Sequence, residues 1–146
     1  MHETHNTGPA RPHVPLWKTW GLRILFALMV GVMGTYQWSQ IFGGTADWTA
    51  WKGVGHTMLA SLALLSLAGV FHPLKFLPVM LFEIAWKSLW LLAIALPAWL
   101  DQRTIPDILD LWSTVIGIPI MLAVVPWRYV WWLYFRQPIE PWRSAA

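Results

Sequence analysis

Cysteine is missing from all 146 residues, which removes disulfides, thiolate metal sites and thiol nucleophiles together. Charge is scarce. Asp, Glu, Lys and Arg make up 12% of the chain, about half the share usual in soluble domains. With 57% hydrophobic residues and a mean hydropathy of +0.49, too little polar surface exists to coat a water-soluble globule of this length. Period-2 alternation is also lacking, which argues against a membrane barrel. No nucleotide loop, serine elbow, His-Glu zinc motif or paired-carboxylate site occurs. The polar connections are too short to house a soluble catalytic domain, so a non-enzyme is expected. The net charge of +3 and pI of 9.6 come from basic residues scattered along flanks. They read as topology determinants, not as a nucleic-acid stripe.

What the chain does have is apolar length. A helix needs about 20 apolar residues to cross the ~30 Å hydrocarbon layer. Four segments meet that need: Leu22–Phe42, Val54–Phe71, Phe76–Leu100 and Ile108–Val125. The first is too long for a signal peptide and lacks an Ala-x-Ala-like exit, so it is read as a retained span. The connections are short, so successive helices should be antiparallel neighbours. The expected fold is an all-α, four-helix antiparallel transmembrane bundle over residues 16–136, between disordered tails at 1–15 and 137–146.

Orientation follows from Lys and Arg. Arg11, Lys18, Arg23, Lys75, Arg128, Arg136 and Arg143 fall on one side; Lys52 and Arg103 fall on the other, outweighed by Asp47, Asp101, Asp107 and Asp110. Seven against two places both termini in the cytoplasm, with the chain multi-pass in the cell's inner membrane. Eleven of the 13 tryptophans sit near span ends, where indole prefers the headgroup boundary. Pro126 should kink or end the last span. The aromatic stretch beyond it, within 126–136, either lies along the membrane surface as an interfacial helix or continues the fourth helix. Trp127, Arg128, Trp131 and Trp132 are its candidate membrane-interface anchors.

Two charges stand in the third span. Glu83 and Lys87 lie within roughly two turns of its centre at ~1.5 Å per residue, where each ionisable group costs about 2.5–3.5 kcal/mol. Their i, i+4 spacing, Glu first, suits an intrahelical pair. Trp90 and Ile94 continue that face and Trp86 stands beside it, so the face should look into the bundle. Either the pair fixes helix rotation and register, or Glu83 is a cation- or proton-binding carboxylate whose pKa Lys87 sets. Pro78 favours the second by freeing a carbonyl near Leu74, unless it simply lies at a helix start.

His56 and His72 are 16 residues apart, about 24 Å along a helix, the spacing of two haems stacked across a membrane. One chain cannot supply two axial ligands per haem, so neither haem nor another cofactor is expected. His72, before Pro73, should end one helix and cap the next. His56 is an interface residue, or part of a polar pocket with Tyr36, Gln37 and Gln40, extended by Trp86 and Trp90. Small residues mark expected helix contacts: Ala27, Gly31 and Gly34 on the first span, and Thr57, Ser61 and Ala68, with Ala60 and Ala63 nearby, on the second. Asp107 and Asp110, in the first turn of the fourth helix, should cap its N–H groups, or form an acidic, cation-binding rim with Asp101 and Asp47. No metal site is expected; His2, His5 and His13 belong to a solvated tail.

The four-span pattern, with Arg23 entering the first helix and Glu83 in a later one, resembles small bacterial proteins of the DoxX-like type. The resemblance extends to the span pattern and those two residues, and carries no function across. The expected role is a non-catalytic accessory or assembly subunit. Its partners would be the lipid bilayer and other membrane helices, as a homo-oligomer or within a larger complex. The alternative is an oligomeric small transporter or proton-coupled permease, with Glu83 as its coupling carboxylate.

Overall fold

The computed structural model describes residues 10–102 and 108–137, and for residues 108–110 the backbone alone. The described residues are helical and contain no strand. Five helices follow one another: α1 Leu16–Gly43, α2 Ala50–Phe71, α3 Leu77–Leu100, α4 Ile108–Val124 and α5 Trp127–Arg136. Of these, α1, α2 and α3 are each long and apolar enough to cross a membrane, and α4 joins them when it is counted together with α5.

Local chemistry sets the helix ends. The Pro15 carbonyl accepts from the N–H groups of Lys18 and Thr19, so α1 starts six residues before the apolar run does. Its polar first turns are helical because they pack on α4, which hydropathy does not register. Gly44, at φ +121°, ends α1 in a conformation that side chains rarely adopt. Thr49 caps α2 by accepting from the Lys52 N–H at 3.3 Å, so α2 begins at Ala50 and not at Val54. Pro126 separates α4 from α5, and the two axes differ by 70°, so the fourth helix does not continue straight past it.

Contacts between helices show how they run. Gly34 meets Ala63 and Gly69 meets the Phe26 ring, so positions rise along α1 as they fall along α2, and the pair is antiparallel. Gly21 meets Val124, which sets the start of α1 beside the end of α4. The side chains buried most fully gather toward this proximal end: Leu22, Phe26, Leu77, Met80 and Val125. Toward the distal end, where α1 gives way to α2, small residues such as Gly34, Ala60 and Ala63 fill the contact.

Three π-turns decide which faces are covered: Met29–Gly34 in α1, Leu91–Ala95 in α3 and Trp132–Arg136 in α5. A π-turn inserts one residue, and each helical residue turns by about 100°, so the face shifts by that angle. In α1 the buried series is Leu22, Phe26, Met29, Gly34 and Gln37, with a step of five across the turn. Ala27 and Gly31 are exposed, whereas Gly34, at the end of the π-turn, is buried and meets Ala63 of α2. On α2, Thr57 and Ser61 are also exposed, their hydroxyls donating to the carbonyls of Gly53 and Thr57. In α3 the same shift turns Ile94 outward, 56% exposed, and buries Ala95 instead. The inward face containing Glu83 therefore does not run on to Ile94.

Candidate functional site

Glu83 is buried, at 2% exposure. One carboxylate oxygen lies 3.3 Å from the Lys87 ammonium, and the other accepts from the Trp86 indole N–H at 2.7 Å. Lys87 also stands over the Trp86 ring, 4.8 Å from its centroid. All three residues lie within two turns of α3. Helix geometry alone brings them together, because i+3 and i+4 neighbours share a face. Both carboxylate oxygens have donors, and the ammonium has a counter-charge and an aromatic face. A buried ion pair is tolerable only when its hydrogen-bonding capacity is met in this way.

Pro78 stands in the first turn of α3. Leu74 lies in the turn before the helix, so Pro78 frees no intrahelical carbonyl. Its expected support for a cavity beside Glu83 falls away. Farther along, Pro97 lies two residues past the π-turn Leu91–Ala95. That wider turn accommodates the bond which a proline cannot donate.

A second polar cluster occupies the distal end. His56 Nδ1 is hydrogen-bonded to the side-chain oxygen of Gln37, a residue only 6% exposed. The imidazole stacks on Trp48, with centroids 4.5 Å apart, and Tyr36 approaches at 6.5 Å. The structure thus brings His56, Tyr36 and Gln37 together and adds Trp48 from the connection between α1 and α2. Gln40 is half-buried and makes no side-chain hydrogen bond among the described residues. Trp86 belongs to the Glu83 cluster, while Trp90 is half-buried along α3. His72 is exposed at the end of α2; its carbonyl accepts from the N–H groups of Lys75 and Phe76, and α3 has no side-chain cap.

Asp101 is exposed just beyond α3. Asp107, and the side chain of Asp110, lie outside the described residues, and with them the expected capping and acidic rim. No group of three or more His, Asp or Glu residues suited to a metal ion occurs among the described residues.

Two cations take roles that their sequence positions do not announce. The Lys18 ammonium donates to the Val125 carbonyl at 3.1 Å. Arg11 reaches the Tyr129 hydroxyl at 3.4 Å and lies 5.1 Å from that ring's centroid. The one available signal was Pro126, which announces a helix end with orphaned carbonyls. It could not name a partner 107 residues away. Around the same bend, the Trp127 indole donates to the Leu122 carbonyl at 2.8 Å, and Trp131 stacks on Phe135 at 4.4 Å. Arg128 is exposed, and Trp132 lies half-buried beside Tyr129 at 5.6 Å.

No family model, curated protein or solved structure matches the chain. The DoxX-like resemblance accordingly stays confined to the span pattern, Arg23 and Glu83.

Proposed function

We propose that the protein is a small, non-catalytic integral membrane protein, an accessory or assembly subunit that packs through its helices against other membrane helices. The observation that carries this reading is the closed state of Glu83. Its two oxygens are taken up by Lys87 and Trp86 on the same helix, which suits an element fixing helix rotation better than one exchanging ions. Large apolar side chains on α1, α2 and α3, such as Val32, Leu64 and Leu89, are 56–69% exposed on the chain by itself and suit lipid or a neighbouring helix.

The chain is read as crossing the cell's inner membrane with both termini cytoplasmic. The basic proximal end, with Lys18, Lys75 and Arg128, supports that orientation. Because the chain has no cysteine, single cysteines at Thr45 and Lys75 can be labelled with a membrane-impermeant maleimide. Labelling of intact cells at position 45 but not at 75 is expected; the reverse pattern overturns the orientation.

The transporter reading rests on the depth of the same carboxylate. Glu83→Gln separates the two. Lost assembly or expression supports a structural pair, whereas lost proton-coupled uptake with unchanged expression supports coupling. Native mass spectrometry in detergent then tells a lone chain from an oligomer or complex.

A further inference from the structure

Helix α5 and residues 10–12 enclose an open groove of about 860 Å³. The residues that line it include three arginines, Arg11, Arg128 and Arg136, and the aromatic residues Trp127, Trp131 and Phe135. Among the described residues no carboxylate lines it. Arg128 and Arg136 are exposed and form no ion pair or hydrogen bond among the described residues. Arg11 is already positioned, held by the Tyr129 hydroxyl and ring.

The local geometry explains why the arginines converge. Residues eight apart on a straight α-helix diverge by about 80°. The wider π-turn Trp132–Arg136 reduces that angle, and Arg128 and Arg136 border one groove, about 12 Å apart along the axis. The 70° bend at Pro126 carries the groove off the end of the apolar helices, to the level where headgroups would meet the span ends.

We propose that this groove binds an anionic phospholipid, with its phosphate among the three guanidinium groups and its acyl chains against Trp131 and Phe135. Charge complementarity selects the occupant: guanidinium forks match phosphate oxygens in pairs. The aromatic floor suits the glycerol and upper acyl region rather than a fully hydrated ion. The inference rests on the membrane reading above.

The test uses the full chain purified in mild detergent, with native mass spectrometry after adding phosphatidylglycerol or phosphatidylcholine at equal concentration. Preferential retention of phosphatidylglycerol is expected. Each arginine removed should weaken it about fivefold, so Arg128→Gln with Arg136→Gln should weaken it about 25-fold. A Lys52→Gln/Lys75→Gln variant, which removes the same charge elsewhere, should retain the lipid as the parent does. Since Arg128 and Arg136 make no internal bonds among the described residues, an unchanged melting temperature is expected for their variant. If that variant melts early, Trp131→Ala takes its place and should also lower retention. Equal retention of the two lipids, or unaffected binding in the groove variants, overturns the proposal. So does displacement of the lipid by inorganic phosphate at equal concentration. Alkaline carbonate extraction of native membranes separates the two levels: a chain that stays in the membrane yet shows no lipid preference loses this site alone, whereas one that is extracted loses the membrane reading and the site together.

Discussion

The Lys18 ammonium donates to the backbone carbonyl of Val125 at 3.1 Å, joining the first turn of α1 to the end of α4. Val125 is fully buried and precedes Pro126, whose missing N–H is one reason that the last carbonyls of α4 need other donors. A cation at a helix C-terminus also complements the helix dipole. Lys18→Met keeps the stem and removes the donor. It should lower stability by about 1–2 kcal/mol, measured as denaturant unfolding in detergent micelles. Lys18→Arg should recover most of the loss.

The Glu83–Lys87 pair calls for a double-mutant cycle. Glu83→Gln still accepts from Trp86 but leaves the Lys87 ammonium without a counter-charge. Lys87→Met leaves the carboxylate in the same position. Each single change should destabilise by about 3 kcal/mol. The double variant should lose clearly less than the sum, because no unpaired charge remains. Additive losses would mean that the two charges act independently.

Two glycines on facing helices should respond in opposite ways. A methyl group at Gly69 would come within 2.7 Å of the buried Phe26 ring, so Gly69→Ala should cost about 1–3 kcal/mol through overpacking. Phe26→Leu in the same chain should recover part of it. Gly31 has nothing within 4 Å of such a methyl group, and Gly31→Ala should be neutral or stabilise by up to about 1 kcal/mol. Melting temperatures of the three variants decide the matter.

His56→Leu removes the partner of a buried amide, Gln37, and replaces the ring stacked on Trp48. The unpaired amide should cost about 1–3 kcal/mol. The effect should be local: hydrogen–deuterium exchange should rise across residues 44–56 and stay unchanged across residues 62–80, around the core at the other end.

Much of the candidate site could be read from the sequence because it is local. Glu83, Trp86 and Lys87 meet through i+3 and i+4 spacing, which any α-helix enforces. A pocket of His56 with Tyr36, Gln37 and Gln40 was legible as one alternative, but not which of them would bond to the imidazole. Trp48 was assigned to the membrane boundary, and its stacking on His56 depends on how the connection folds back. Gly21 and Gly69 passed unnoticed. What makes them necessary is the side chains opposite, Val124 and Phe26, and neither partner is close in sequence.

The order of its residues by itself determined that this chain is built of long apolar helices, since its apolar runs are of helical span length and lack period-2 alternation. It also determined that an acid and a base share one turn of α3, and that Pro126 interrupts the last apolar run. Only the tertiary structure decided which faces turn inward. Each π-turn displaces the helical phase by one residue, as where burial moves from Ile94 to Ala95 and where Gly34 turns inward while Ala27 and Gly31 stay exposed. Such a turn follows from how packing and backbone hydrogen bonds settle together, and no spacing of residue types encodes it. The Lys18 bond to Val125 has the same origin, because a backbone carbonyl looks alike in every residue until the fold places a donor beside it.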